Sequence, residues 1–363
     1  MSSLHSNDIP TLTVRQDGKG DYPTIQAALD ALVGLDALIN SEGVKGKHTL
    51  YQINIGPGTY YERLCVTRPN LILQGSSLHD THIVASTANG MLDPQGRIFA
   101  TTGSRTVSLD ADNITLRDLT IRNDFDFDAN QKKRADDPTR LTHTQAVALL
   151  IDEHADKIVL SHLGLEGAQD TLFLKSGRTY LHQCLITGHI DFIFGAGTAW
   201  FEQCDLTAKA RRDTAHNEAW GYVCAPATSI TKPYGFIFHR CALLKQLNVP
   251  EHSFALGRPW HPTTQFADGQ YADPQAVGQA VFIDCVMDNH IYGWDKMSGK
   301  GKDGERVWFT PQESRFAEYH SHGYGTENNK EQRPEITEAE REQYTIEHVL
   351  DGWFPQISEE AAW

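Results

Sequence analysis

Seven-residue windows with one shared pattern recur six times in this chain: two mostly large or β-branched residues, two intervening positions, Leu or Cys, any residue, then an apolar one. They are Thr115–Ile121, Val159–Leu165, Tyr180–Ile186, Trp200–Leu206, Ile237–Leu243 and Val281–Met287, and their starts lie 44, 21, 20, 37 and 44 residues apart. A period of about 20–22 residues built from short β-rich segments marks a solenoid in which each coil stacks on the last. On that period the two gaps of 44 read as double coils, and the gap of 37 as one coil with a long loop. A sandwich would return its strands about every 8–12 residues through hairpin turns, and NG or DG turns are scarce here. The expected fold is all-β, a parallel β-helix.

A solenoid needs its open ends closed. Ile25, Ala28, Leu29 and Leu32 have the spacing of an amphipathic helix over about 21–33, with Asp21 or Thr24 as N-cap, and this helix is expected to cap the N-terminal end. Near the other end, Thr337 and Glu340 form a capping-box pattern ahead of a helical run over about 337–352. These boundaries suggest a short tail, 1–12, and one β-helix domain, 13–363.

Composition narrows the function. At 40% hydrophobic and 22% charged residues, the chain is globular. A net charge of −15 without clustered Lys and Arg argues against a nucleic-acid partner. No apolar run approaches the roughly 18 residues needed to cross a bilayer. Met1–Pro10 lacks the basic-then-apolar pattern of a signal peptide, which leaves an intracellular chain and one with a removed export signal both open.

Four of the six cysteines, Cys184, Cys204, Cys241 and Cys285, take the fifth window position that Leu119 and Leu163 fill elsewhere. They read first as small buried hydrophobes. Cys184 and Cys204 fall in consecutive coils, about 4.8 Å apart by sheet geometry. That makes them a candidate disulfide in an oxidising compartment. On the double-coil reading, Cys241 and Cys285 are two coils apart and should not pair. No CxxC or Cys/His spacing suggests zinc, and no metal or other cofactor is expected.

The same register points to chemistry. Seven residues beyond the fifth position of the second, third and fourth windows come Asp170, Asp191 and Arg211. Coils stacked in register would bring the three to one level. Two carboxylates that close cannot both ionise cheaply, so one should hold a proton while a nearby cation favours the anion of the other. Two like side chains would then serve as acid and as nucleophile or base. Asp191 is a lone acid in the apolar block Gly188-His-Ile-Asp-Phe-Ile-Phe-Gly195, and Asp170 follows the amide of Gln169. Poorly hydrated acids of this kind are usually paired or functional.

Gln145-Ala-Val-Ala-Leu149, Gly167-Ala-Gln-Asp-Thr-Leu172, Gly188–Gly195 and Leu256-Gly-Arg-Pro-Trp260 resemble, in order and spacing, the signature blocks of the pectin methylesterases (carbohydrate esterase family 8). Gly58-Thr-Tyr-Tyr-Glu62 resembles the family's N-terminal block, and His290–Gly299 is similar to bacterial plant-pathogen members. The likeness runs from about Val14 to Trp353. It implies a right-handed β-helix that hydrolyses C6 methyl esters of polygalacturonate. It implies Asp191 as nucleophile, Asp170 as proton donor and then base, Gln169 and Gln145 as oxyanion donors, and Arg258 as the group that orients Asp191. Trp260, Thr101, Phe173, Phe194, Arg211, Thr263 and Met297 match positions lining the family's substrate cleft. The implied partner is methylesterified homogalacturonan or its oligomers, the implied state a monomer, and the implied location secreted or periplasmic.

The sequence departs from the family in two places. Leu35–Thr49 adds what reads as a long loop, and Glu218 stands where a neutral amide is expected, which bears on subsite preference. Asn123-Asp-Phe-Asp-Phe-Asp128 lacks the bidentate Glu of a calcium loop and reads as a loop beside the cleft. The same fold carries polygalacturonases and pectate lyases, but neither chemistry explains the two glutamines. A serine esterase is disfavoured because no GxSxG occurs.

Overall fold

The structure, a computed structural model, describes residues 9–41, 49–211 and 219–357, with backbone alone over 35–41. Each coil contributes strands to three faces. Ten strands pair in parallel along the main path of the largest sheet, from Thr11–Val14 through Ile158–Glu166, Arg178–His182 and Thr198–Glu202 to Arg315–Tyr319. Short strands such as Leu185–Gly188 and Asp205–Ala208 form a second face. A separate seven-stranded sheet, running from Leu64–Val66 to Phe254–Gly257, forms the third. With the right-handed crossovers that parallel strands take, this is a right-handed parallel β-helix.

The six windows are the repeat unit. Thr115 pairs with Val159, Val159 with Tyr180, Tyr180 with Trp200, Trp200 with Ile237, and Ile237 with Val281. Second, fifth and seventh positions point inward as stacked columns, with Phe201, Phe238 and Phe282 stacking at 4.4 and 4.3 Å between centroids. The fourth position of every window (Asp118, His162, Gln183, Gln203, Arg240 and Asp284) has φ between 48° and 58°. Repeated polar residues there let the chain corner through left-handed backbone without glycine.

This pairing corrects the coil count. Thr115 and Val159 are direct neighbours, as are Ile237 and Val281, so each gap of 44 is a single coil carrying a long excursion. Cys241 and Cys285 are consequently in adjacent coils, and their side chains touch. All six cysteines, the candidate pair Cys184 and Cys204 included, are free thiols here, and only Cys65 is exposed.

The N-terminal helix spans Ile25–Ser41, longer than its expected end near 33, so it takes up much of the stretch read as a loop; residues 42–48 lie outside the described ones. It buries Ile25, Ala28, Leu29 and Leu32 in the solenoid's core. Thr24 is the capping hydroxyl, bonded to the Ala27 N–H, and the Glu62 carboxylate accepts from the Ile25 and Gln26 N–H groups at 3.0 and 2.9 Å. At the C-terminus the Thr337/Glu340 capping box forms, but the run divides into Glu338–Arg341 and Ile346–Val349. This pair lies on the flank of the large sheet, where Val349 and Leu350 cover the outward column Val159, Tyr180, Trp200 and Ile237. Bulky first-position residues leave an apolar stripe outside the barrel, and that stripe draws the C-terminal segment to it.

Candidate active site

The seven-stranded sheet carries the site on its outer face. Leu172 pairs with Ile193 and Phe173 with Phe194, so Asp170 and Asp191, each two residues ahead of these strands, stand on adjacent coils at one level. Both adopt left-handed backbone, φ 64° and 49°, a conformation Asp tolerates better than most residues. The Asp170 N–H donates to the Ile190 carbonyl at 3.0 Å, tying one rung to the next. Glycine closes the Asp191 turn tightly: a Cβ on Gly188 would fall 2.3 Å from that of Phe192.

The two acids are equally buried, each 7% exposed, yet differently partnered. Arg258 grips Asp191 in bidentate fashion, Nε to Oδ1 at 2.8 Å and Nη2 to Oδ2 at 2.6 Å, and stacks 3.8 Å from the Tyr222 ring centroid. Asp170 has no such clamp. Burial first, and the Asp191 charge second, push its carboxyl well above the usual range, with Arg258 and a hydrogen bond from Gln169 acting the other way. One acid is thus paired with a buried guanidinium, and its neighbour favours the neutral form.

Two amides face these carboxyls. Gln169 Oε1 accepts from the Thr144 hydroxyl at 2.8 Å while the same side chain bonds Asp170. Gln145 Oε1 accepts from Asn89 Nδ2 at 3.1 Å, and that nitrogen also donates to Thr101 Oγ1 at 3.0 Å. With its oxygen so occupied, the Gln145 NH₂ is left for the cleft. The cleft holds about 500 Å³ and is lined by Thr101, Gln145, Gln169, Asp170, Asp191 and Arg258 at its polar end.

The profile of the family described as pectinesterase matches residues 11–352. The chain belongs to the pectinesterase family. It is therefore a carboxylic ester hydrolase. It is 46% identical to pectinesterase A of Dickeya chrysanthemi over 85% of this chain and 84% of that one. Its backbone matches the pectin methylesterase of Erwinia chrysanthemi with a TM-score of 0.87 at 42% identity, covering 98% of this chain and all of the other. A pectin methylesterase crystallised with a hexasaccharide matches at TM-score 0.89 and 41% identity, again over 98% of this chain and all of that one.

In this member of the family the apolar wall of the cleft is aromatic. Phe173 and Phe194 stack at 4.2 Å, and Trp260 meets Phe194 edge-on at 5.6 Å; Met297 completes the lining from its own hairpin. Thr263 is exposed on the hairpin Thr263–Ala272 and does not line this cleft. Arg211 is not on the aspartate rung either. Ile193 pairs with Cys224, which brings Tyr222 to the level of Asp191. The chain makes a long excursion between Ala208 and Gly221, so counting seven residues onward fails there. Arg211 instead donates to the Trp220 carbonyl at 2.8 Å, with its guanidinium 5.5 Å from the Phe127 centroid. Glu218 lies outside the described residues. The Asn123–Asp128 stretch leads from the end of the strand Ile114–Asn123 into a helix: Asp126 caps Phe127–Lys132, and these residues border a separate groove with His189 and Lys209. Asn89, Thr144 and Tyr222 went unseen in the sequence, since no motif marks a residue that only supports another.

Proposed function

We propose that this chain hydrolyses the C6 methyl esters of polygalacturonate by double displacement. The Asp191 carboxylate attacks the ester carbonyl carbon and forms a tetrahedral oxyanion. That intermediate collapses to an acyl-enzyme anhydride as the carbon–oxygen bond to methoxide breaks. Asp170 gives its proton to the leaving oxygen, releasing methanol. It then takes a proton from the water that attacks the anhydride, which returns Asp191 as carboxylate and frees the galacturonate. The amides of Gln145 and Gln169 donate to the oxyanion. Arg258 keeps Asp191 ionised and aimed. Trp260, Phe173 and Phe194 give the sugar flat apolar faces, with Thr101 and Met297 at the margins.

The observation that carries this reading is the asymmetry of the pair: a carboxylate in a bidentate arginine grip, beside an acid whose burial favours its proton. The hexasaccharide bound by a relative of 41% identity supports a polysaccharide ligand. A monomer working in a secreted or periplasmic setting, without a metal or other cofactor, completes the proposal. The test is an assay on methylated pectin that follows methanol, reducing ends and unsaturated product together. Methanol alone is expected; new reducing ends or unsaturated ends in proportion would make the chain a glycosidase or a lyase.

A further inference from the structure

A second concavity, of about 550 Å³, lies across the segment Phe99–Gly103 from the aspartates. Ala100, Thr101 and Thr102 face the cleft, whereas Phe99 and Gly103 face this concavity together with Arg63, Cys65 and Arg105. Its charge is anomalous for a chain of net charge −15. Arg97, also on its rim, is neutralised by Asp93 at 2.7 Å. Arg63 and Arg105 have no carboxylate partner among the described residues. Arg63 donates to the carbonyls of Gly103 and Arg105 and stacks 4.5 Å from the Phe99 centroid, while the Arg105 Nε reaches only the Ser108 hydroxyl, at 3.4 Å. The two guanidiniums stand near enough for Arg105 to act electrostatically on Arg63.

Two arginines without a carboxylate partner leave positive charge on the rim of this concavity that an anion would complement. We propose that this concavity binds the free carboxylate of a de-esterified galacturonate unit. The inference rests on the function proposed above. Arginine presents a planar fork that matches a carboxylate, and the Phe99 and Ile98 side chains offer apolar surface to a sugar ring. A methyl ester carries no charge and would gain little here, so the site favours product over substrate. Being one chain segment away from the aspartates, it is placed to hold a stretch of polymer that has already reacted.

Cys65 gives a direct probe, because it lines the concavity and is exposed while the other five cysteines are buried. In an Asp191→Ala chain, which cannot turn over ligand, Cys65 alkylation by iodoacetamide is measured against three additives at matched ionic strength. These are fully de-esterified oligogalacturonate, its methyl-esterified counterpart and inorganic sulfate. De-esterified oligomer is expected to slow alkylation several-fold, the other two much less. Arg105→Gln should shift the protecting concentration upward by roughly tenfold, with Arg105→Lys restoring part of it and all three chains unfolding at similar temperatures. Equal protection by sulfate, or protection unaltered in Arg105→Gln, would overturn the assignment. Methanol release by the wild-type chain is scored separately, so loss of the site and loss of the esterase reading give different results.

Discussion

Arg258–Asp191 and Arg333–Glu318 are two buried arginine–carboxylate pairs of the same construction. In each, Nε and Nη2 donate to separate oxygens, at 2.8 and 2.6 Å in the first and 2.8 and 2.5 Å in the second. Their surroundings differ. Arg333 spends its remaining donors on the carbonyls of Gly325 and Asn328 and on the Met287 sulfur, and Glu318 also accepts from the Trp294 indole, so that pair is saturated. Asp191 instead adjoins a second acid and opens on the cleft. A saturated pair can only fasten the chain. The other leaves an arginine-paired acid with an open side and a neighbour that favours holding a proton, which suits it to attack an ester.

The hardest blow to that contrast is Asp191→Ala. Methanol release should fall at least about 10⁴-fold, as for loss of a nucleophile elsewhere, while the far-ultraviolet circular dichroism keeps its β-helix form. Retention of a tenth of the wild-type rate would make both pairs structural. Asp191→Asn separates charge from backbone strain, since Asn tolerates the left-handed turn.

Asp170→Asn should slow the reaction by about 10²–10⁴-fold. Its pH behaviour is more telling. The folded carboxyl titrates well above its ordinary value of 3.8. Between those two points the native chain holds a proton that the unfolded chain has released, so wild-type stability falls as pH rises through this window. Asp170→Asn abolishes that fall. Its melting temperature should exceed the wild type's above the folded titration point, and the gap should close as pH drops below about 4. The wild-type kcat should decline with rising pH over the same upper range, because the departing methanol then lacks its proton donor. If the melting-temperature gap were independent of pH, Asp170 would not be the strained acid.

Arg333→Ala tests the other half. Leaving Glu318 buried without its partner should cost about 3–5 kcal/mol of stability, read from denaturant midpoints. Methanol release per folded molecule should stay close to wild type. A matching fall in kcat would mean that the saturated pair also serves the site.

What the sequence reveals follows the same division. Residues that repeat once per coil are legible: the six windows and their inward cysteines show by pattern, and the Asp170–Asp191 adjacency follows from a spacing of 21 without interruption. Excursions erase the count. The gaps of 44 conceal single coils, the excursion before Gly221 puts Tyr222 where Arg211 was expected, and Thr263 leaves the cleft on a hairpin whose geometry no period fixes. The C-terminal helices show the other limit: their capping box is local and readable, but the flank they cover is defined by outward residues more than a hundred positions earlier.

Asn89 offers the smallest expected effect and the finest test. Its single NH₂ group holds both the Gln145 oxygen and the Thr101 hydroxyl, so it decides which end of the Gln145 amide faces the cleft. Asn89→Ala removes that constraint at a cost of about 0.5–1.5 kcal/mol, the ordinary worth of one hydrogen bond, or up to roughly tenfold in rate. An amide that flips presents oxygen to a developing oxyanion, which harms the transition state more than the bound ester. The loss should therefore appear in kcat with KM nearly constant, and Asn89→Asp, which offers no donor, should not restore it. A change confined to KM would make Asn89 a part of the cleft wall, and Gln145 would then owe its orientation to the substrate itself.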